Sequence, residues 1–282
     1  MGLVGLLILV IVPAALSEQH GERRAVALSE ANVVASLVAS AAPLLVGWCA
    51  PLPGGWRLAL GIAALAPLLM RLGFGRARPP QPVSRPEDSP STRRPLPVLF
   101  WVYWAAIVLA VSVEFCMIFW SADYLETGLA LPKVDAARAV SLFLAAMIVG
   151  RLAASRLVGR FSAHAVILAS VLAAGAGFLA FWTTDVAIVG LVGLFVTGLG
   201  VAGLYPLTLS LAIEAAGKDT VQAGARAALA SGTAILALPL VLGRLADLAG
   251  IRAAYATVGV LLIGVFLIAL ATRGKVSAKQ HT

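Results

Sequence analysis

The sequence predicts an all-α membrane protein that crosses the bilayer several times. Of its 282 residues, 61% are hydrophobic and 12% are charged, whereas a soluble domain averages about 25% charged residues. A soluble protein of this composition could not cover its apolar surface, so its solvent must be lipid. Long apolar runs separated by short polar segments indicate helical spans, because a helix satisfies its own backbone hydrogen bonds within the bilayer.

Nine apolar runs are the candidate transmembrane helices, three before a long polar segment and six after it. In order they are Gly2–Leu16, Val26–Trp48, Trp56–Leu72, Val98–Trp120, Ala139–Leu157, Ala163–Trp182, Val186–Ile213, Ala227–Leu242 and Ala254–Ala271. The first run is shorter than the roughly 20 residues of a full span. We interpret it as a helix that is already under way where the chain starts, with a signal peptide as the alternative. The seventh run suits one tilted or kinked helix, with Pro206 near its end.

The polar segment, residues 74–97, divides the chain. From Gly75 to Pro97 it holds five arginines and seven prolines, and dense proline prevents a continuous helix. We predict an extended linker between a partial front half, residues 1–73, and a back half of six helices, residues 98–272. Residues 273–282 form a polar tail.

The charge distribution predicts the orientation of the chain in the membrane. Counted over alternate loops, sixteen of the 21 lysines and arginines lie on the side of the linker and five on the other. Because basic loops stay in the cytoplasm, the linker and the tail are predicted to be cytoplasmic, at a plasma (inner) membrane. The net charge of +8 is therefore a topology signal, and no basic face with interleaved aromatics suggests nucleic-acid binding.

Several short motifs give the chain a family resemblance. Gly243–Arg252 reads GRLADLAGIR, Gly150–Arg156 reads GRLAASR, and Gly200–Leu207 is a glycine-rich stretch with a Tyr-Pro pair. With three helices, a basic linker and six helices, the chain resembles a major facilitator superfamily transporter that begins within the fourth family helix. The resemblance implies two helical halves, a small-molecule substrate bound between them, and alternating access. A further hypothesis is that a chain lacking three front helices does not transport alone.

Glu114 is the strongest candidate functional residue, because it is an acid inside an apolar run. Such a residue costs roughly 2.5–3.5 kcal/mol on insertion scales, so it should face the bundle interior or a wet cavity. A proton-coupling or cation site remains open, and so do a helix–helix hydrogen bond and an acid near enough to the outer interface to be hydrated. Arg151 is a candidate relay or gate, with a snorkelling topology anchor as the alternative. Tyr205 and Pro206 are candidate markers of a flexible kink, with core packing as the alternative.

The Gly243–Arg252 copy predicts a polar loop containing Gly243, Arg244, Asp247 and Gly250, in which Arg244 and Asp247 could form a local ion pair. Gly198–Gly203 matches a dinucleotide-loop spacing, but no strand precedes it, so its glycines are interpreted as close helix contacts.

No metal or cofactor site is predicted. The two cysteines, Cys49 and Cys116, are interpreted as small core residues, and the histidines, His20, His164 and His281, as solvated residues at span ends. The favoured function is secondary transport of a small molecule, with protons as the candidate coupling ion. A non-transporting membrane partner is the alternative. An intramembrane enzyme is less favoured, because no Ser/His, paired-Asp or HExxH constellation lies within the spans.

Overall fold

A computed structural model of the protein describes residues 34, 38, 41–42, 45–49, 51–75, 95–217 and 219–277. These residues form helices joined by short turns, with no strand among them, which confirms the predicted all-α class. The first apolar run, most of the linker, His20 and His281 lie outside the described residues.

Nine numbered helices follow one another in the described part of the chain. They are α1 (Trp56–Phe74), α2 (Val98–Gly128), α3 (Lys133–Val158), α4 (Ala163–Thr183), α5 (Ala187–Val201), α6 (Leu204–Ala216), α7 (Thr220–Ala249), α8 (Ile251–Ala254) and α9 (Ala256–Ser277). Seven spans in these residues are long and apolar enough to cross a membrane, and two of them, Ala187–Ala216 and Ile251–Arg273, each join two helices. The protein is therefore an integral membrane protein, and all six runs predicted behind the linker are helical.

The chain divides into two compact units, Met1–Arg94 and Pro95–Thr282. The second unit, which we call unit 2, contains α2 to α9. Its core gathers buried residues from every one of its long helices, including Phe100, Phe143, Phe178 and Leu194. A span that faces neighbours on several sides needs apolar side chains all round, as these helices have.

Glycines determine how closely α4 and α5 pack. A Cβ placed on Gly177 of α4 would lie 2.5 Å from the backbone nitrogen of Thr197 on α5. On Gly200 of α5 it would meet the backbone of α4 at Ser170 and Ala174. Without side chains here, the two backbones can touch, and van der Waals packing of this kind drives helix association in lipid. The interpretation of the glycine-rich stretch as helix contacts is confirmed.

Three helices extend beyond the apolar runs that predicted them. α2 continues past Trp120 to Gly128, α3 begins at Lys133, and α7 spans Thr220–Ala249. The predicted polar loops at these positions are wrong in part, because a helix end is set by backbone hydrogen bonds and packing, whereas an apolar run marks membrane contact. Tyr124 and Leu125, beyond the predicted end of α2, are fully buried.

Two sets of contacts define the ends of unit 2. At the linker-side end, Tyr103 near the start of α2 lies 3.0 Å from His164 at the start of α4. At the opposite, far end, the Tyr124 hydroxyl donates to the carbonyl oxygen of Trp182 at 2.6 Å, and Trp182 Nε1 donates to the carbonyl oxygen of Arg252 at 2.7 Å. The long helices therefore run from one end of the unit to the other.

Candidate functional site

Glu114 lies near the middle of α2, because that helix is longer than its apolar run. It is sixteen residues from Val98 in a helix of 31 residues, which places it about 24 Å along an axis of about 46 Å. Its side chain is 14% exposed. A carboxylate at this depth needs a partner, because burying an unpaired charge is costly.

Arg151 of α3 is the partner that the structure supplies. Its Nη2 lies 3.2 Å from Oε1 of Glu114, and its side chain is 34% exposed. The two residues are 37 positions apart, so no local pattern pairs them. Each was a separate candidate from sequence, and the fold joins them into one ion pair between α2 and α3.

The residue before Arg151 fixes where α3 sits. A Cβ on Gly150 would collide with the carbonyl oxygen of Leu199 and lie 2.8 Å from the Cβ of Ala202, both at the end of α5. Gly150 therefore permits α3 to press against α5, while Arg151, about 100° further round the helix, reaches α2. This contact explains the glycine of the GRLAASR stretch.

The chain breaks between α5 and α6 beside the ion pair. Ala202 and Gly203 separate the two helices, and a Cβ on Gly203 would lie 3.1 Å from that of Ala154, one turn beyond Arg151 on α3. A predicted kink in this run is present. Its centre precedes the Tyr-Pro pair.

Tyr205 and Pro206 begin α6. Pro206 is the third residue of that helix and is exposed, and Tyr205 packs against the core. The first backbone N–H groups of a helix have no acceptor within that helix, so a proline in the first turn removes no backbone hydrogen bond from it. Pro206 is thus compatible with the start of a new helix and prevents α5 from continuing smoothly into it.

The predicted polar loop at Gly243, Arg244, Asp247 and Gly250 is wrong. The first three residues lie in the last turns of α7, and the chain turns at Gly250, where φ is +84°. The described residues of this stretch record no ion pair between Arg244 and Asp247. The loop was predicted because polar residues interrupt an apolar run, but polar residues at the end of a span also suit a helix that emerges from lipid.

Gly243 instead accommodates an aromatic ring. A Cβ there would lie 2.6 Å from Cζ2 of Trp120. The indole Nε1 of Trp120 donates to the carbonyl oxygen of Pro239 at 3.0 Å. The glycine therefore lets α2 and α7 approach through an indole ring.

Arg252 is a polar contact residue that the sequence did not reveal. Its Nη1 donates to Oδ1 of Asp185 at 2.9 Å, and its Nη2 donates to the carbonyl oxygen of Thr183 at 3.1 Å. It thereby ties the turn after α4 to α8 at the far end. The partners are 67 positions apart, and sequence offers no signal for such a pairing.

His164 was expected to be solvated, and this expectation is wrong. His164 is 6% exposed. It lies in the first turn of α4, which begins at the cap residue Ser162, whose hydroxyl accepts from the backbone nitrogen of Ala165 at 3.3 Å. Its ring points inward and contacts Tyr103. A small cavity beside it is lined by residues of α2, α4, α6 and α9, including Thr208 and Thr272. No sequence pattern marks this convergence.

Both cysteines are buried free thiols, as predicted for small core residues. Within the described ranges, no group of three or more His, Cys, Asp or Glu side chains could hold a metal ion. The polar features suited to chemistry in unit 2 are accordingly the Glu114–Arg151 pair and the Tyr103–His164 pair.

The described helices thus form a polytopic bundle with an apolar core and a charge pair near the middle of one span. The family model of the Major Facilitator Superfamily matches residues 1–221 and 122–281, so the chain belongs to that superfamily. Its members are transporters, which confirms both the predicted family and the prediction that the protein is not an enzyme.

Individual relatives agree with this assignment. An uncharacterized MFS-type transporter of Yersinia pestis is 28% identical over 185 residues, covering 64% of this chain and 47% of the relative. The crystal structure of the E. coli fucose:proton symporter FucP is similar at a TM-score of 0.58 and 21% identity, covering 76% of this chain and 56% of that one. A structure of FucP in the outward conformation has a TM-score of 0.56 at 20% identity, with 76% and 53% covered. The chain spans about half the length of these proteins.

Proposed function

We propose that the protein acts in secondary active transport of a small molecule by alternating access, and that Glu114 and Arg151 couple this transport to protons. The observation that carries the proposal is the ion pair at mid-span. In transporters of this kind, the substrate and coupling-ion sites lie near the bilayer midplane. Ionisable residues within spans mark ion pathways and proton relays.

The pair supplies the two states that coupling requires. With Glu114 ionised, the carboxylate is held by Arg151 at 3.2 Å. Protonation of Glu114 removes its charge and weakens that contact, so one polar contact between α2 and α3 is lost. The break at Ala202–Gly203 lies against the same stretch of α3. A movement of α3 after release of Arg151 would therefore shift the junction between α5 and α6.

We also propose the division into two halves and the membrane orientation that the sequence predicts. Residues 1–73 and 98–272 belong to two halves joined by the linker at 74–97, and the linker and the tail at 273–282 face the cytoplasm of a plasma or inner membrane. The charge asymmetry of the loops supports this orientation. The α5–α6 segment, with Tyr205 and Pro206, lines the substrate path.

Transport can be tested with the full chain in liposomes. A panel of sugars, amino acids and drug-like cations is first screened for ligands by thermal shift. Fucose enters this panel as the substrate of a protein of similar fold. Ligands that bind are then offered to proteoliposomes containing a trapped pH dye. We expect ligand entry accompanied by proton movement.

Glu114→Gln is the decisive variant, because it keeps the shape of the side chain and removes its charge. It should retain ligand exchange and lose pH-driven accumulation. Asp135→Asn, which neutralises an exposed acid on α3, is the matched control and should behave as wild type. Unchanged proton movement in Glu114→Gln would remove Glu114 from the mechanism, and absence of any binding or flux across the panel would contradict transport by this chain alone.

A further inference from the structure

A second polar cluster lies at the linker-side end of unit 2, away from Glu114. His164 is buried, and its Nε2 lies 3.0 Å from the Tyr103 hydroxyl oxygen. Thr272 lines the same small cavity as Tyr103 and His164, and its hydroxyl donates to the carbonyl oxygen of Ile268 at 2.9 Å. Polar side chains from α2, α4 and α9 therefore meet at one cavity.

We propose that His164 is a proton-binding site, and that Tyr103 and Thr272 allow its ring to be charged inside the bundle. This site goes beyond the proposed transport activity and does not depend on it. The ligand is a proton taken from water at the linker-side end. The adjoining cavity has room for about one water molecule.

In both protonation states, Nε2 of His164 keeps the Tyr103 hydroxyl as its partner. With its proton on Nδ1, neutral His164 accepts at Nε2 from the Tyr103 hydroxyl. When a proton adds to the lone pair of Nε2, the ring becomes a donor to the Tyr103 oxygen. The Tyr103 hydrogen then turns to Thr272 Oγ1, which already donates to Ile268, so no covalent bond other than the new N–H changes.

A partner for Nε2 in both protonation states distinguishes this cluster from ordinary buried polar contacts. A buried group left without a partner costs roughly 1–3 kcal/mol, so most buried histidines are confined to one protonation state. Here the proton added at Nε2 has the Tyr103 hydroxyl oxygen as its acceptor at 3.0 Å. Thr272 Oγ1 is the acceptor that we assign to the Tyr103 hydrogen when the ring is charged, because the Thr272 hydroxyl hydrogen is already donated to the carbonyl oxygen of Ile268.

The surroundings are compatible with a positive ring. Burial disfavours a charged ring, and among the described residues the exposed carboxylate of Glu214 on α6 offsets part of that cost. α2 contributes the Tyr103 hydroxyl, α9 the Thr272 hydroxyl, and α5 carries no charged residue. The basic residues at the end of α3, Arg156 and Arg160, are exposed.

The test uses the full chain in micelles, with His20→Gln and His281→Gln introduced so that His164 is its single histidine. Ring nitrogen shifts are recorded by NMR from about pH 4.5 to pH 8.5, the range that brackets ordinary histidine titration. We expect one reversible transition between the neutral and charged ring. A ring that stays neutral throughout overturns the proposal.

Two variants test the relay in this background. Tyr103→Phe removes the acceptor of the charged ring, and Thr272→Val removes the next acceptor with little change in shape. In each, the charged fraction at a fixed pH should fall severalfold, because the bond from Tyr103 to the charged ring is stronger than its bond to the neutral ring, and because Thr272→Val leaves the Tyr103 hydrogen without an acceptor when the ring is charged. If Tyr103→Phe does not fold, Thr272→Val decides.

Thr233→Val is the matched control, since the Thr233 hydroxyl also donates to the carbonyl four residues earlier, at 2.9 Å, but Thr233 is exposed on α7. This control and Glu114→Gln should both titrate as the parent does. Titration unchanged by Thr272→Val would overturn the relay. Because Glu114→Gln is silent here, failure of this proposal is distinguishable from failure of proton-coupled transport.

Discussion

Removal of one partner of the Glu114–Arg151 pair should be far more costly than removal of the other. Glu114 is 14% exposed and Arg151 is 34% exposed. In Arg151→Gln the carboxylate remains at mid-span without its guanidinium partner. In Glu114→Gln the long Arg151 side chain can extend toward polar surroundings. The cost of each variant therefore reports the burial of the partner left behind.

The magnitude follows from the contact distance. At 3.2 Å and an effective dielectric constant of about 20, the attraction is about 5 kcal/mol. Placing the acid within a span costs about 3 kcal/mol. A net coupling of about 2 kcal/mol remains. We therefore expect Arg151→Gln to cost about 3 kcal/mol and Glu114→Gln about 1 kcal/mol, with the double variant about 2 kcal/mol more stable than the sum predicts.

The assay is reversible unfolding in mixed micelles, in which SDS is titrated against a mild detergent and the apparent free energy of unfolding is fitted for all four proteins. The Arg138–Asp135 pair on α3 provides the control cycle, because its side chains are 57% and 55% exposed at a separation of 3.4 Å. An exposed helix pair should couple by no more than about 0.5 kcal/mol. The reasoning is refuted if both cycles give the same coupling, or if Glu114→Gln is the more damaging single variant.

Three further outcomes can be measured in the same unfolding assay. Gly177→Ala should destabilise by about 1–3 kcal/mol because its Cβ would press on the α5 backbone, whereas Gly175→Ala on the same helix meets open space and should be neutral or slightly stabilising; equal effects would contradict the proposed α4–α5 contact. Trp120→Phe should cost about 1 kcal/mol through loss of one hydrogen bond to α7, and a cost near zero would show that this bond contributes nothing. The Arg252–Asp185 pair is 51% and 79% exposed, so Asp185→Asn should cost less than about 1 kcal/mol, and a larger loss would mean that the far-end corner is buried in the membrane-embedded protein.

The helices of unit 2 could be predicted from sequence because one physical property determines them. Long apolar runs are stable in lipid only as helices, so every run behind the linker appears as a helix or a pair of helices. Their ends could not be predicted equally well. The stretch from Ser121 to Gly128 is polar enough to suggest a loop, but Tyr124 and Leu125 bury themselves in the core and extend α2.

The candidate site was predicted as separate residues and not as an arrangement. Glu114 and Arg151 each stood out because charge is expensive within a span. Their pairing depends on how α2 and α3 pack, and Gly150 helps to set the position of α3 through its close contact with the end of α5. His164 carried no comparable signal, since a histidine beside a polar loop is ordinarily solvated. Its burial depends on three other helices that converge on it.

The segment Gly243–Arg252 matches a ten-residue motif while meeting three unrelated demands. Gly243 makes room for an indole ring, Gly250 adopts a backbone conformation that suits glycine, and Arg252 fastens a corner at the far end. If the residues of this motif served a single function, substitutions at its positions would have coupled effects whose free-energy costs do not add. Here each substitution should fail separately, so a scan across the segment would yield independent phenotypes whose free-energy costs add.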